Sequence, residues 1–238
     1  MSSIFARSVR NVFDAILDFV YPPLCFSCGE LLESGREHIC TSCWSSIKRV
    51  RDDPSLYDET KEKLLASGAI DDLVSLFVFE KEGAFQRIVH SLKYSGVQAL
   101  GTELGKRLGA GMLKEGVRAD ILVSVPLHKR RLRERGYNQS ELIAKGIAEV
   151  TGIAVRNELV RRSRWTSTQT ALSLEERQKN VTDAFVCPVP DLEGAVIIVI
   201  DDVITTGATI AACGCALKRA GASRIIAASA ALAGRGEQ

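Results

Sequence analysis

The feature that most constrains the fold of this chain is the stretch VIIVIDDVITTGAT, residues 196–209. Its first five residues are all branched and apolar, which predicts a strand buried on both faces, as in a parallel sheet covered by helices. Two carboxylates, Asp201 and Asp202, follow this run, and a Thr- and Gly-rich segment then leads into a predicted helix. Open α/β sheets bind ligands at the carboxyl ends of their strands. The stretch therefore predicts both a fold class and the place of a site.

The residues after the acid pair have the composition of a phosphate-binding turn. A helix N-terminus offers unpaired backbone N–H groups and the positive end of the helix dipole. Thr205, Thr206 and Thr209 add hydroxyl donors, and Gly207 permits close approach of the backbone to a phosphate. An acid pair would repel a phosphate unless the ligand presents hydroxyls there, as a ribose 5-phosphate does. The stretch predicts such a site; the alternative is an Asp-rich turn before a Thr-capped helix.

The remaining pattern predicts an α/β fold with a mainly parallel sheet and helices on both faces, because strands and helices alternate. Asn138 and Glu141 have the spacing of a capping box at the start of one helix. The predicted strands are 73–80, 121–126, 153–160, 196–200 and 223–230. The predicted helices are 84–96, 98–114, 138–152 and 206–222.

Four of the seven cysteines form a second pattern near the start of the chain. Cys25 and Cys28 are followed, after eleven residues, by Cys40 and Cys43. Two such pairs can supply four thiolates to a closed tetrahedral zinc site, which is structural rather than catalytic. Two redox-active pairs are the alternative. The odd cysteine count without a secretion signal argues against a disulfide framework and favours a reducing cytoplasm.

The organisation of the chain follows from changes in composition. The composition predicts an amphipathic helix over 1–20 and a zinc-ribbon module over 21–50. It predicts a linker or a poorly packed helix over 51–70, and the α/β domain over 71–238. No run approaches the ~20 apolar residues that span a bilayer, so membrane insertion is not expected. The net charge of +2 does not by itself indicate a nucleic-acid or membrane partner. Residues 161–185 form a long polar segment that predicts a lid.

Residues 196–209 resemble the signature with which type I phosphoribosyltransferases bind 5-phosphoribosyl-1-pyrophosphate (PRPP). The resemblance implies ribose contacts from the acid pair, Mg²⁺ held mostly by the ligand, and a hood that excludes water. The residues it assigns to PRPP are Asp201, Asp202, Val203, Thr205, Thr206, Gly207, Ala208 and Thr209. Those of the pyrophosphate loop are Pro126, Leu127, His128, Arg130, Arg131 and Arg135. Those of the flexible lid are Arg164, Thr168, Gln169, Arg177 and Asn180.

A four-Cys ribbon ahead of this signature resembles the ComF family, which includes competence proteins and GntX-like proteins. The similarity also covers LKYSG (92–96), VPLHKRRLRERGYNQ (125–139) and the Thr- and Gln-containing pattern of 168–180. It implies an association with DNA uptake. Three hypotheses stay open. The first is an enzyme that transfers phosphoribosyl from PRPP to an unidentified acceptor and releases pyrophosphate, and the second is a regulator that binds PRPP without chemistry. The third is a protein that handles single-stranded DNA or contacts competence-machinery proteins, with PRPP as a ligand or sensor.

Overall fold

The structure is a computed structural model, and it describes residues 22–32, 38–162, 184–189 and 191–234. The helices are α1 (Thr41–Ser46), α2 (Pro54–Ala66), α3 (Ala84–Tyr94), α4 (Ala99–Lys114), α5 (Lys129–Arg135), α6 (Gln139–Thr151) and α7 (Ala208–Arg219). The strands are β1 (Asp72–Phe79), β2 (Ile121–Ser124), β3 (Ala154–Val155), β4 (Arg161–Arg162), β5 (Phe185–Val186), β6 (Val196–Ile204) and β7 (Arg224–Ala233). Short 3₁₀ helices cover Val50–Asp52 and Asn157–Leu159.

Five strands form one parallel sheet in the order β1-β7-β6-β2-β3, which confirms the predicted fold class. The central strand β6 pairs with β7 on one side and with β2 on the other. Its residues 197–200 are all fully buried. Strand β6 continues to Ile204, four residues beyond the predicted end, because Asp201, Val203 and Ile204 stay in register with β7. The acid pair therefore lies in the strand rather than after it.

Helices cover both faces of the sheet. Ile198 and Ile200 of β6 face an apolar cluster that includes residues of α3, α4 and α6. Ile197 and Val199 face the other cluster, which includes residues of α2 and α7. Alternate residues of a strand point to opposite faces, so an unbroken apolar run is what a doubly covered strand requires.

Glycines allow helices α4 and α6 to touch. A Cβ atom at Gly146 of α6 would lie 2.1 Å from the carbonyl oxygen of Thr102 in α4, and one at Gly105 would lie 2.1 Å from that of Ile143. A real Cβ cannot approach so closely, so both positions require glycine at this packing distance. The contact fixes α6, whose first turn enters the site described below.

One predicted strand is shorter than expected, and the predicted linker contains a helix. Residues 153–160 form only the two-residue strand β3 and a 3₁₀ turn, because Asn157 caps the end of β2 with its side chain, accepting from Ser124 N at 3.0 Å. Residues 51–70, predicted as a linker or a poorly packed helix, contain α2, whose Leu64 is buried in the cluster beneath α7. The predicted helix 1–20 lies outside the described residues.

The four-Cys segment packs on the α/β domain. Trp44 of α1 stacks on Phe77 of β1 with ring centroids 5.9 Å apart, and the Arg107 guanidinium of α4 lies 3.7 Å from the centre of the Trp44 ring. Cys25 and Cys43 belong to the same apolar cluster as α3, α4 and α6. In the part of the chain that the structure describes, no helix is both long and apolar enough to cross a bilayer.

Candidate functional site

The acid pair lies next to the end of the neighbouring strand. Val125, which follows β2, donates its backbone N–H to the carbonyl oxygen of Ile200 at 2.9 Å, so the segment after β2 runs beside Asp201. The Oδ1 atom of Asp201 accepts from the Ser140 hydroxyl at 3.0 Å and from the Asp202 backbone N–H at 2.9 Å. Parallel strands end at the same edge of a sheet, and this edge therefore joins the acid pair to the start of α6.

A lysine neutralises part of the acid pair. Lys93, in the last turn of α3, places Nζ 2.6 Å from Oδ2 of Asp202, whose side chain is only 13 % exposed. Asp201 has the Ser140 hydroxyl and a backbone N–H instead. Burial and the Asp202 charge raise the pKa of Asp201 to about 7, although the hydrogen bonds and Lys93 oppose them. The two adjacent carboxylates of Asp201 and Asp202 are thus partly removed from water, with the Lys93 ammonium beside them.

The raised pKa of Asp201 predicts a pH dependence of stability. The folded protein holds a proton between the ordinary Asp pKa of 3.8 and about 7, where the unfolded chain has released it. The free energy of unfolding contributed by Asp201 therefore falls as the pH rises across this range and stays low above it. Asp201→Asn is expected to remove this fall, which denaturant unfolding of the ligand-free protein between pH 4.5 and 8 would measure. The exposed Asp58→Asn is the control, and parallel profiles for Asp201→Asn and the parent would contradict the prediction.

The turn after β6 has the predicted Thr–Gly composition, but glycine is needed there for reasons other than a phosphate. Gly207 is the N-cap of α7 with φ 76°, a left-handed conformation that favours glycine. A Cβ at this position would lie 2.6 Å from Cδ2 of Leu64 in α2. Thr205 and Thr206 are exposed, and the Thr206 hydroxyl accepts from the Ala208 N–H at 3.4 Å. Helix α2 thus packs against the buried side of this turn through Leu64, and the Thr205 and Thr206 side chains are exposed to solvent.

A cavity of about 950 Å³ opens in front of the acid pair. Its lining combines residues from the ends of β2 and β6 with the ends of α3 and α6 and with the short helix α5. Of the predicted site residues, the lining includes Asp201, Asp202, Thr209, Pro126, Leu127, His128, Arg130, Arg131 and Arg135. It does not include Val203, Thr205, Thr206, Gly207 or Ala208, which form the strand end and turn beside it.

The basic run has a structure that the sequence analysis did not predict. Residues 129–135 form α5 rather than an open loop, and none of them is buried. His128 is the N-cap of α5, since its Nδ1 accepts from Arg130 N at 3.2 Å, and Gly136 ends the helix with φ 82°. Arg130 pairs with Glu134 at 2.9 Å. The helix places a basic surface on one wall of the cavity.

The predicted lid residues Arg164, Thr168, Gln169, Arg177 and Asn180 lie outside the described residues. The two ends of this segment are described: Arg162 pairs with Phe185 in the antiparallel ladder of β4 and β5. Arg162 also lines the cavity. The residues on either side of the predicted lid are thus paired with each other beside the cavity.

Several residues of this cavity carried no predicted role. Lys93 and Tyr94 belong to the LKYSG motif, and Gln139 and Ser140 follow Tyr137 and Asn138 at the start of α6. These motifs had supported the family resemblance without a role. Their positions after a predicted strand or at a helix end could have indicated that they belong to the site. No local sequence pattern, however, shows that α3 lies beside β6.

The four cysteines come together as predicted. Their Sγ atoms all lie within 4.8 Å of one another, and tetrahedral zinc–thiolate bonds of about 2.3 Å require sulfurs roughly 3.8 Å apart. Backbone N–H groups of Ser27 and Cys40 donate to Cys25 Sγ at 3.4 and 3.3 Å. Burial raises the pKa of the Cys25 thiol, but hydrogen bonds outweigh it and lower the pKa to about 6. Four thiols held this way fit a structural zinc ion, and Cys25, Cys28, Cys40 and Cys43 would hold it.

The zinc-binding segment is tied to the helix that carries Lys93. Arg87 Nε of α3 donates to the Ser27 carbonyl at 2.8 Å, and the Ser91 hydroxyl donates to the Phe26 carbonyl at 3.4 Å. Both carbonyls lie in the turn between Cys25 and Cys28. Helix α3 thus contacts the cysteine cluster along its length and the acid pair at its end.

Comparison with known families agrees with both parts of the chain. The model of the double zinc ribbon domain matches residues 16–55, and that of the phosphoribosyl transferase domain matches residues 144–238. Among solved structures, the glutamine PRPP amidotransferase from B. subtilis, complexed with ADP and GMP, is 25 % identical. That match covers 56 % of this chain and 26 % of the other, with a TM-score of 0.42.

Curated proteins with related sequences are also found. The DNA utilization protein YhgH of Salmonella typhimurium is 35 % identical over 143 residues, which are 58 % of this chain and 63 % of the relative. The Escherichia coli K12 protein of that name is 34 % identical over 143 residues, with the same coverage. Competence protein F of Haemophilus influenzae is 29 % identical over 194 residues, 79 % of this chain and 75 % of the relative. The match thus spans somewhat less than two thirds of the YhgH proteins. The chain is thus similar to a double zinc ribbon domain followed by a phosphoribosyl transferase domain, and to proteins named for DNA utilization and competence, in agreement with the resemblance stated from its motifs.

Proposed function

We propose that this protein binds PRPP at the acid pair and transfers its phosphoribosyl group to an acceptor, releasing pyrophosphate. The observation that carries the proposal is the position of Asp201 and Asp202, at the edge of the sheet, in a cavity of about 950 Å³ with basic residues on its wall. Carboxylates accept hydrogen bonds from vicinal hydroxyls, and arginines bind phosphate oxygens. A ligand with a ribose between two phosphate groups matches this order of acceptors and donors.

Each part of PRPP is bound by a different set of residues. Asp201 and Asp202 accept the ribose hydroxyls, with Lys93 limiting the repulsion between them. The turn from Thr205 to Thr209 offers hydroxyls and the α7 N-terminus to the 5′-phosphate. The pyrophosphate oxygens are bound by the arginines of the cavity wall, Arg130, Arg131 and Arg135. The bond between ribose C1 and the pyrophosphate oxygen breaks with its electron pair on that oxygen, while an acceptor atom bonds to C1 and loses a proton.

Mg²⁺ is expected to enter with the ligand. Among the residues that the structure describes, the only grouping of three or more potential metal-binding side chains is the cysteine cluster. A pair of carboxylates without a third one fits a cation whose ligands are mostly pyrophosphate and hydroxyl oxygens. When bound, Mg²⁺ would neutralise charge on the pyrophosphate.

Calorimetric titration tests the proposal. PRPP with Mg²⁺ is expected to bind at least about tenfold more tightly than ribose 5-phosphate, because the pyrophosphate adds charge-assisted contacts with the arginines. Release of pyrophosphate is then measured with a panel of acceptors. Absence of PRPP binding at millimolar concentration would remove the proposal. Binding without pyrophosphate release for any acceptor would leave a regulator that uses PRPP only as a ligand.

A second function is favoured by the exposed basic surface and by the names of the relatives, which refer to DNA utilization and competence. Helix α5 together with the exposed Arg161 and Arg162 could contact the phosphates of a single strand. The same titration includes a single-stranded oligonucleotide at several salt concentrations. If the protein binds the oligonucleotide with an affinity that falls steeply with salt, and does not bind PRPP, the DNA-handling function would replace the first proposal.

A further inference from the structure

The first residue of α6 carries a buried donor without a partner. Gln139 is only 2 % exposed, and within the described part of the chain its amide nitrogen has no hydrogen-bond partner. Buried amides in native proteins are nearly always hydrogen-bonded. Gln139 also lines the cavity in front of the acid pair. A donor left unpaired at the wall of a ligand cavity indicates that the ligand supplies the acceptor.

The residues on both sides of Gln139 are held in place. Tyr137 donates its hydroxyl to the carbonyl oxygen of Leu92 in α3. Asn138 is 3 % exposed and donates its side-chain amide to the Val125 carbonyl at 3.0 Å, and Ser140 donates to Asp201 at 3.0 Å. With the positions before and after it fixed to three elements, Gln139 has little freedom to find another partner. Its amide is preorganised for a ligand atom.

The surroundings decide which part of the ligand this atom belongs to. The acid pair accepts hydrogen bonds, so it suits the ribose hydroxyls. The Gln139 amide nitrogen only donates, as do the arginines of α5 that line the same cavity. Pyrophosphate oxygens only accept hydrogen bonds, and the α6 N-terminus adds the positive end of a 13-residue helix. We propose that the Gln139 amide donates to an oxygen of the pyrophosphate group, an assignment that rests on the proposed binding of PRPP.

The test compares three ligands on two matched variants. Gln139→Met keeps the length of the side chain and removes the amide, and Gln98→Met makes the same change at an exposed position outside the cavity lining. Calorimetric titrations use PRPP with Mg²⁺, inorganic pyrophosphate and ribose 5-phosphate. For Gln139→Met, the affinities for PRPP and pyrophosphate are expected to fall about tenfold, or about 1.4 kcal/mol. The affinity for ribose 5-phosphate is expected to stay within about twofold of the parent.

Thermal unfolding of the ligand-free proteins separates a ligand contact from a structural role. An amide without a partner does not stabilise the empty protein, so Gln139→Met is expected to unfold at a midpoint equal to or above that of the parent. A midpoint several degrees lower would make the amide structural and overturn the inference. So would unchanged affinity for all three ligands, or an equal loss for ribose 5-phosphate. A parent protein that binds none of them would instead remove the proposed function, and the inference with it.

Discussion

Replacing both acids, Asp201→Asn and Asp202→Asn, is expected to abolish the stabilisation that PRPP and Mg²⁺ give to the protein. A ligand present at 100 times its dissociation constant adds about 2.7 kcal/mol to the free energy of unfolding, which corresponds to a midpoint about 5–10 °C higher for a chain of this size. Asparagine keeps the shape of the side chain, but it lacks the charge that makes a carboxylate a strong acceptor for ribose hydroxyls. Thermal unfolding with and without ligand measures the effect.

Each protein in this experiment is compared with its own ligand-free state. The comparison is necessary because the double variant also removes the repulsion between the two carboxylates and the ion pair with Lys93 at 2.6 Å. The ligand-free midpoint therefore changes for reasons unrelated to PRPP. Asp58→Asn and Asp191→Asn, two exposed acids outside the cavity lining, should keep the full ligand-induced shift. A double variant that PRPP stabilises as much as the parent would show that the ligand binds elsewhere.

Loss of a single cysteine of the cluster is expected to release the zinc ion and destabilise the whole domain. Cys28 is the most informative position, because it is exposed and Cys28→Ser removes no buried side chain. Structural zinc contributes about 10–16 kcal/mol to the folding of small zinc-finger peptides. Here the cysteine segment packs on a much larger apolar core than a zinc-finger peptide has, so a smaller loss of about 3–5 kcal/mol is expected. Metal analysis of the purified protein and denaturant unfolding measure the two effects.

Cys215→Ser serves as the matched control, since Cys215 is partly buried on α7 and outside the cluster. It should retain one zinc ion per chain and lose little stability. The destabilisation by Cys28→Ser is expected to reach the α/β domain because Trp44 and Cys43 share an apolar cluster with α3 and α4. Full stability of Cys28→Ser after loss of the metal would show that the cluster does not support the fold. Stability lost on reduction of a metal-free protein would favour the redox alternative.

The fold class could be predicted from the sequence because the relevant signals are local. The residues 197–200 are apolar without interruption, and the structure buries all four in the centre of a parallel sheet. The cysteine spacing likewise predicted a cluster that the structure brings within 4.8 Å. Asn138 was predicted to cap α6, and its side chain accepts from the Ser140 N–H at 3.2 Å. Each of these features depends on residues that are close in the chain.

Other features could not be predicted because they depend on how distant segments pack. Residues 51–70 look polar and turn-prone, yet Leu64 is buried beneath the turn that contains Gly207. No pattern around Gly207 shows that a Cβ there would meet Leu64 at 2.6 Å. The basic run 129–135 was predicted as a binding loop, and its helical structure follows from the caps at His128 and Gly136.

By itself, the sequence determined the parallel sheet, the acid pair followed by a Thr–Gly turn, and the four-Cys metal site, because hydrophobic period, residue type and spacing are properties of short segments. Only the tertiary structure decided which side chains meet at the acid pair. It brought Lys93 to Asp202 across 109 residues and Ser140 to Asp201 across 61 residues, and it buried Gln139 in the lining of the same cavity. The physical reason is that these contacts arise where α3 ends and α6 begins at the carboxyl edge of the sheet, a position set by packing of the whole apolar core.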